Sequence, residues 1–160
     1  MTAVDSRPYR EGVGAVIFNR TGLVWVGQRI DTPGAWQLPQ GGIDAGESPR
    51  RAVLREVAEE IGTDRVDILG EAPEWLTYDL PADIADRAWG GRFRGQRQKW
   101  FALRFKGTDT DIDLAAHGQP EFASWQWIPL TSLPAAIVAF KRPVYLALVA
   151  AFGPYSRSQD

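Results

Sequence analysis

The sequence predicts one α/β (α+β) domain, a sheet sandwiched with helices. Three observations carry this expectation. Strand-like and helix-like segments alternate along the chain in mixed order. The length, 160 residues, suits a single domain able to bury a core. Hydrophobic residues at 44% and charged residues at 24% are the balance of a globular chain. No apolar run approaches the ~20 residues that span a bilayer, so no membrane partner is expected. The chain has no cysteine, which excludes a disulfide framework and a thiolate metal site. No basic-then-apolar secretory pattern opens the chain. With the missing cysteine, that makes the cytoplasm the expected location. The net charge of −2 gives no overall pull toward nucleic acid. The segment from Arg87 to Lys99 is uneven, however: Arg87, Arg92, Arg94, Arg97 and Lys99 occur with no acid among them.

The elements follow in order. Residues 1–8 read as a loose arm. Gly12–Phe18 alternates small and apolar residues as a strand does. Asn19-Arg20-Thr21-Gly22 is a turn leading to a second strand, Leu23–Arg29, so the two form a hairpin. Trp36–Gly42 is extended, because Pro39 disfavours helix at Leu38. Ser48 is a good N-cap, Pro49 suits the first helical position and Gly62 the position past the end. Between them Val53, Leu54, Val57, Ala58 and Ile61 make one apolar face. Val66–Leu69 and Glu74–Tyr78 are strands. Residues 79–95 form a long loop with a helical turn near 83–88, and a loop of that length is usually functional or mobile. Lys99–Phe105 and Glu121–Ile128 are strands, Thr131–Phe140 is a helix, and Pro143 opens a last helix to Phe152. Residues 154–160 read as a tail. No repeat or second domain is visible, so 1–160 is one domain.

The chemistry concentrates on the helix that Ser48 caps. Glu56, Glu59 and Glu60 stand at i, i+3 and i+4 and share a face. Glu56 and Glu60 repel at a cost of roughly 0.2–0.5 kcal/mol on an exposed helix. Arg55 is i,i+4 to Glu59, but one arginine does not neutralise three carboxylates. A hard divalent cation would, since such ions take oxygen ligands. A solvated acidic face is the blander meaning of the same three residues.

The spacing around them is more specific. Gly41, Glu47, Arg55-Glu56, Glu59-Glu60 and Gly62 fall into the pattern G-x5-E-x7-R-E-U-x-E-E-x-G-U, where U is bulky and aliphatic. This resembles the signature of the Nudix hydrolases, and the one departure is Thr63 at the last U. The resemblance implies a mixed β-sheet between α-helices, with the signature helix on one face. It implies Mg²⁺ or Mn²⁺ held by Glu56, Glu59 and Glu60, with the Gly41 or Gly42 carbonyl completing a site. Glu47 and Arg55 would orient the loop and helix. Glu56 is the first choice for the base that activates water, and Glu121 the second.

Further pieces resemble one subgroup, the bacterial RNA pyrophosphohydrolases and asymmetric diadenosine tetraphosphate hydrolases. They are Tyr9-Arg10, Trp36–Gly42, Trp75-Leu76-Thr77-Tyr78, Gln96–Phe101, Pro120-Glu121-Phe122 and Phe140–Tyr145. This resemblance implies that Glu121 approaches the metals. It also implies that Arg10, Arg29, Lys99 and Lys141 meet phosphate or base, and that Tyr78 and Phe140 hold a base by stacking. Trp36, Trp100, Trp125 and Trp127 read as core, and His117 as a bystander. The leading expectation is an RNA 5′ pyrophosphohydrolase that turns triphosphorylated RNA into monophosphorylated RNA. The alternative is a dinucleoside polyphosphate hydrolase. Cleansing of damaged nucleoside triphosphates fits the signature but not the flanking pieces. A non-catalytic nucleotide sensor would lack one of the glutamates, and all are present.

Overall fold

The computed structural model describes residues 5–157. Eight strands of the described residues form one mixed sheet: β1 (Tyr9–Phe18), β2 (Val24–Arg29), β3 (Trp36–Gln37), β4 (Gln40–Gly42), β5 (Val66–Glu71), β6 (Leu76–Asp79), β7 (Gly95–Phe105) and β8 (Phe122–Ile128). The helices are α1 (Pro49–Ile61), α2 (Ala82–Ala85), α3 (Leu133–Ala136) and α4 (Arg142–Phe152). Strands β1 and β7 run parallel down the middle, from Tyr9 opposite Gly95 to Phe18 opposite Arg104. Both share themselves between partners. The middle of β1, Gly12–Gly14, pairs with β4, and its end, Phe18, pairs with β2 at Val24. The first half of β7 pairs with β6 and the second half with β5. The sheet therefore splays, and β4 and β6 flank the open end.

Period-two alternation separates two cores. Val13, Ala15 and Ile17 of β1 and Phe101 and Leu103 of β7 pack on Val53, Val57 and Ile61 of α1. Val16 and Phe18 with Trp100 and Ala102 pack on Val144, Tyr145, Leu148 and Phe152 of α4. The expected sandwich is thus observed, with α1 on one face and α4 on the other. Gly14 has a packing reason, since a Cβ there would collide with the Trp100 indole.

Helix α1 forms as its sequence predicts. Ser48 Oγ accepts from Arg51 N at 3.3 Å, Pro49 begins the helix, and Gly62 closes it at φ 79° with its N–H donated to Ala58 O. One position differs: Leu54 is exposed, and the buried stripe runs through Val53, Val57, Glu60 and Ile61. A carboxylate therefore sits on the apolar face.

Four other expectations are corrected. The helix expected over Thr131–Phe140 breaks after Ala136, because Ile137 and Val138 take extended backbone. These adjacent β-branched residues are poor helix formers, and Ile137 is drawn into the α4-side core. Strand β7 begins at Gly95 rather than Lys99, with Gln96 and Gln98 turned to the buried face. Residues 5–8 are not a loose arm: Arg94 N donates to Pro8 O, and Arg7 Nη1 donates to Ala85 O and Gly91 O. Residues 153–156 form a 3-10 turn that brings the Tyr155 ring to 6.3 Å from that of Phe18. The rest of the expected termini, 1–4 and 158–160, lies outside the described residues.

Candidate active site

Glu56, Glu59 and Glu60 of α1 meet Glu121 in a depression of about 270 Å³. Glu121 arrives there because β8 pairs with β2, and its carbonyl accepts from Ile30 N at 3.0 Å. The four carboxylates differ in burial. The side chains of Glu59 and Glu121 are about half exposed, Glu56 is mostly covered, and Glu60 is 7% exposed. Glu60 Oε2 accepts from Gln40 N at 3.1 Å. Its Oε1 is buried with no hydrogen-bond partner among the described residues. Burial first, then the charges of Glu121 and Glu56, hold the Glu60 carboxyl well above the ordinary range. Burial also raises Glu56, against the opposing pull of Arg55.

Arg55 braces this wall. Its Nε and Nη2 donate to the two oxygens of Glu47, both at 2.8 Å, a bidentate pair. Nη2 also donates to Gly42 O at 2.9 Å, and Nη1 to Glu56 Oε1 at 2.9 Å and Glu59 Oε2 at 3.4 Å. Glu47 in turn accepts from Asp44 N. The Arg55 bond holds the Glu47 carboxyl down at about 2. One guanidinium thus ties the loop after β4 to α1. Gly41 makes room for Glu56: a Cβ there would strike the Glu56 carboxylate, which would have to move.

The donor set is all carboxylate oxygen, which suits a hard cation, and the orphaned Glu60 Oε1 is an oxygen in need of one. Among the described residues no three acidic or histidine groups converge tightly enough to encircle an ion. Glu56 and Glu59 are instead drawn to Arg55.

A cleft of about 340 Å³ lies nearby, bordered by Gln40, Arg29, Tyr78, Phe140 and Lys141. Arg29 spans the two hollows. It pairs with Asp31 at 2.8 Å, and its Nη1 lies 3.9 Å from Glu121 Oε2. Lys141 Nζ lies 5.4 Å from the Tyr78 ring centre and 3.4 Å from Gln37 Oε1. Burial, and then the charge of Arg29, lowers Lys141 to about 8. Tyr78 is 6% exposed, and its hydroxyl accepts from Gln96 Nε2 at 2.6 Å. Its ring centre is 5.9 Å from that of Phe140, which offers the more open surface.

Arg10 reaches the rim of the cleft, with Nη1 donating to Gln96 Oε1 at 3.4 Å. Lys99 does not join this group. It lies on the α1 face of β7, donates to Ala72 O at 2.7 Å and stands 3.5 Å from Glu71 in a separate hollow. Odd residues of β7 face α1 and even ones face the cleft, so Lys99 and Gln98 are parted by strand alternation. His117, expected as a bystander, borders the glutamate depression.

The sequence reading missed the amides. Gln37, Gln96 and Gln98 are buried beside the cleft, and Gln98 Nε2 donates to Gln40 Oε1 at 3.0 Å. The signal was present as two glutamines at alternate positions on the strand face that continues into Trp100 and Ala102. A larger hollow than either, about 570 Å³, lies elsewhere, around Asn19, Arg104 and Lys106, and holds none of the expected site residues.

Comparison with known proteins places this geometry in context. The NUDIX domain model matches residues 8–148. An RNA pyrophosphohydrolase of Gluconacetobacter diazotrophicus is 56% identical over 165 aligned positions, covering 98% of this chain and 99% of the relative. One of Rhodospirillum rubrum is 55% identical, covering 95% and 92%. Among solved structures, the E. coli dihydroneopterin triphosphate pyrophosphohydrolase is similar with a TM-score of 0.69 at 21% identity, covering 90% of this chain and 99% of that one. A C. elegans Ap4A hydrolase binary complex has a TM-score of 0.65 at 20% identity, covering 91% and 98%. At these identities the two structures support the fold alone.

Proposed function

The chain belongs to the NUDIX family, and from that premise we propose that it removes pyrophosphate from 5′-triphosphorylated RNA, leaving a 5′-monophosphate. One observation carries the reading: a four-glutamate depression adjoins a cleft lined by cations and aromatic rings. The first can serve an anhydride and the second a nucleotide. The near full-length similarity to RNA pyrophosphohydrolases favours RNA among nucleotide substrates. In this reading the whole chain, 1–160, is one catalytic domain.

The family works with a divalent cation, and the proposed ions are Mg²⁺ or Mn²⁺. Glu56, Glu59 and Glu60 would hold them, with Glu121 and the Gly41 carbonyl contributing. When bound, such a cation offsets the charge on the phosphate oxygens. The chain's own residues do the rest. Glu56, raised by burial, is the proposed acceptor of the proton from the attacking water, with Glu121 second. Arg55 and Glu47 keep that carboxylate aimed. Arg29 and Lys141 draw in the phosphates, and Arg10 meets them at the rim. Phe140, with Tyr78 behind it, offers a surface to a base. Lys99, held by Ala72 O in its own hollow, has no part in this arrangement.

A competition assay tests the reading. Triphosphorylated RNA and diadenosine tetraphosphate are offered together with Mg²⁺, and kcat/KM is compared. Preference for RNA is expected. Preference for the dinucleotide would transfer the reading to the alternative, and no release of pyrophosphate from RNA would overturn it.

A further inference from the structure

Within the acid-free basic segment from Arg87 to Lys99, Trp89 stands out by its backbone. Trp89 has φ 49° and ψ 38°, and no other non-glycine residue has positive φ among the described residues. For a bulky side chain this is a strained conformation, and such strain gathers at ligand-contacting segments. It is maintained from several sides. Gly90 and Gly91 follow with positive φ, Arg92 Nε donates to Trp89 O at 3.3 Å, and Arg7 Nη1 donates to Gly91 O at 3.1 Å.

The strain places the indole at the cleft. Trp89 borders the same hollow as Tyr78, Gln96 and Phe140. The Arg10 guanidinium lies 4.8 Å from its ring centre. Arg10 forms no ion pair among the described residues, and its Nη2 lies against the Cα of Gly42, where any Cβ would collide with it. Glu56 covers Gly41 in the same manner. Consecutive residues of β4 thus carry a carboxylate from the glutamate wall and an arginine that leads to Trp89. The surroundings repeat the combination, with Arg94 stacked over Tyr9 at 4.9 Å and Arg92 over Phe93 at 5.6 Å. Arginine interleaved with aromatic rings is the composition of surfaces that bind single strands by stacking and charge.

Building on the RNA reading above, we infer that Trp89 is a base-stacking residue at the cleft rim. It takes a nucleobase of the RNA strand while Arg10 meets the adjoining phosphate. The loop is held in the left-handed region so that the indole faces the strand rather than the core.

Trp89→Gly and Trp89→Phe, compared on a triphosphorylated RNA of several nucleotides, test this. Glycine accepts the positive φ, so Trp89→Gly removes the ring without adding strain, and its melting temperature should match or exceed that of the wild type. KM should rise about 10-fold or more, with kcat changing less than KM. Trp89→Phe should recover most of that loss. An unchanged KM in Trp89→Gly, with the wild type active on RNA, overturns the role of Trp89 and leaves the RNA reading intact. A raised KM that Trp89→Phe does not improve, at wild-type melting temperature, overturns stacking as its cause. A wild type inactive on RNA overturns both.

Discussion

Lys141 is a cation held where burial works against its charge. Its amine is lowered from 10.5 to about 8, with desolvation the main cause. Below pH 8 both the folded and unfolded chains carry the ammonium, and the folded state bears the full desolvation cost. Between about pH 8 and 10.5 the folded state releases its proton first, and stability recovers as pH rises. Lys141→Met should therefore stabilise the fold by about 1–3 kcal/mol at pH 7. That gain should shrink toward pH 10 in denaturant unfolding, while KM for the polyphosphate substrate rises. A gain independent of pH would show that packing, not charge, sets the effect. Glu59 is the opposite case, an exposed carboxylate with little structural duty beyond a 3.4 Å contact to Arg55. Glu59→Gln should leave the melting temperature unchanged and lower kcat at least ~100-fold. Near-wild-type turnover at saturating Mg²⁺ would remove Glu59 from the cation site.

Strand β4 is three residues long, yet it touches both hollows: Gln40 borders the cleft, and the Glu56 carboxylate of the depression lies against Gly41. It pairs with Gly12–Gly14 of β1, and on the α1 side Gln40 N donates to Glu60. Gly41 then admits the Glu56 carboxylate at van der Waals contact or closer. Gly41→Ala should push Glu56 or β4 aside, costing about 1–3 kcal/mol of stability. It should also lower kcat more than a stability loss of that size explains. Measured together, chemical denaturation and turnover separate the two effects, and wild-type kcat would mean that β4 shifts without moving Glu56. Helix α1 is built for the same task. Its caps and Pro49 fix where it starts and stops, so Glu60 falls on the buried stripe and Glu59 in solvent.

At the scale of the molecule, the site is assembled by the splayed end of the sheet. There β1 takes β4 as partner and β7 takes β6, and residues 5–8 fasten the 79–95 segment beside them. Arg7 reaches Ala85 O and Gly91 O, and Arg94 reaches Asp5 O and Asp79. Arg7→Ala should loosen this segment with little effect on either core. Hydrogen exchange at residues 82–94 should quicken while the amides of β1 and β7 keep their protection. Equal acceleration throughout would mean that the N-terminal arm stabilises the whole fold.

Much of this was legible in the order of residues, because local rules govern it. Ser48, Pro49 and Gly62 bound α1 through backbone capping, and the spacing of Glu56, Glu59 and Glu60 put them on neighbouring turns through helix geometry. Residue alternation gave the strands and the sandwich. The sequence alone thus determined the family signature, the helix that carries it and the class of chemistry. Other features depend on contacts between distant segments, which no local rule encodes. The burial of Glu60, the arrival of Glu121 beside it and the placement of Lys99 on the far face were decided by strand pairing across the sheet. The break at Ile137 came from burial in the α4-side core, and the raised carboxyl of Glu60 from desolvation among other carboxylates. Spacing along a helix is fixed by covalent geometry, but burial and the electric field at a side chain exist only once the distant strands have closed around it.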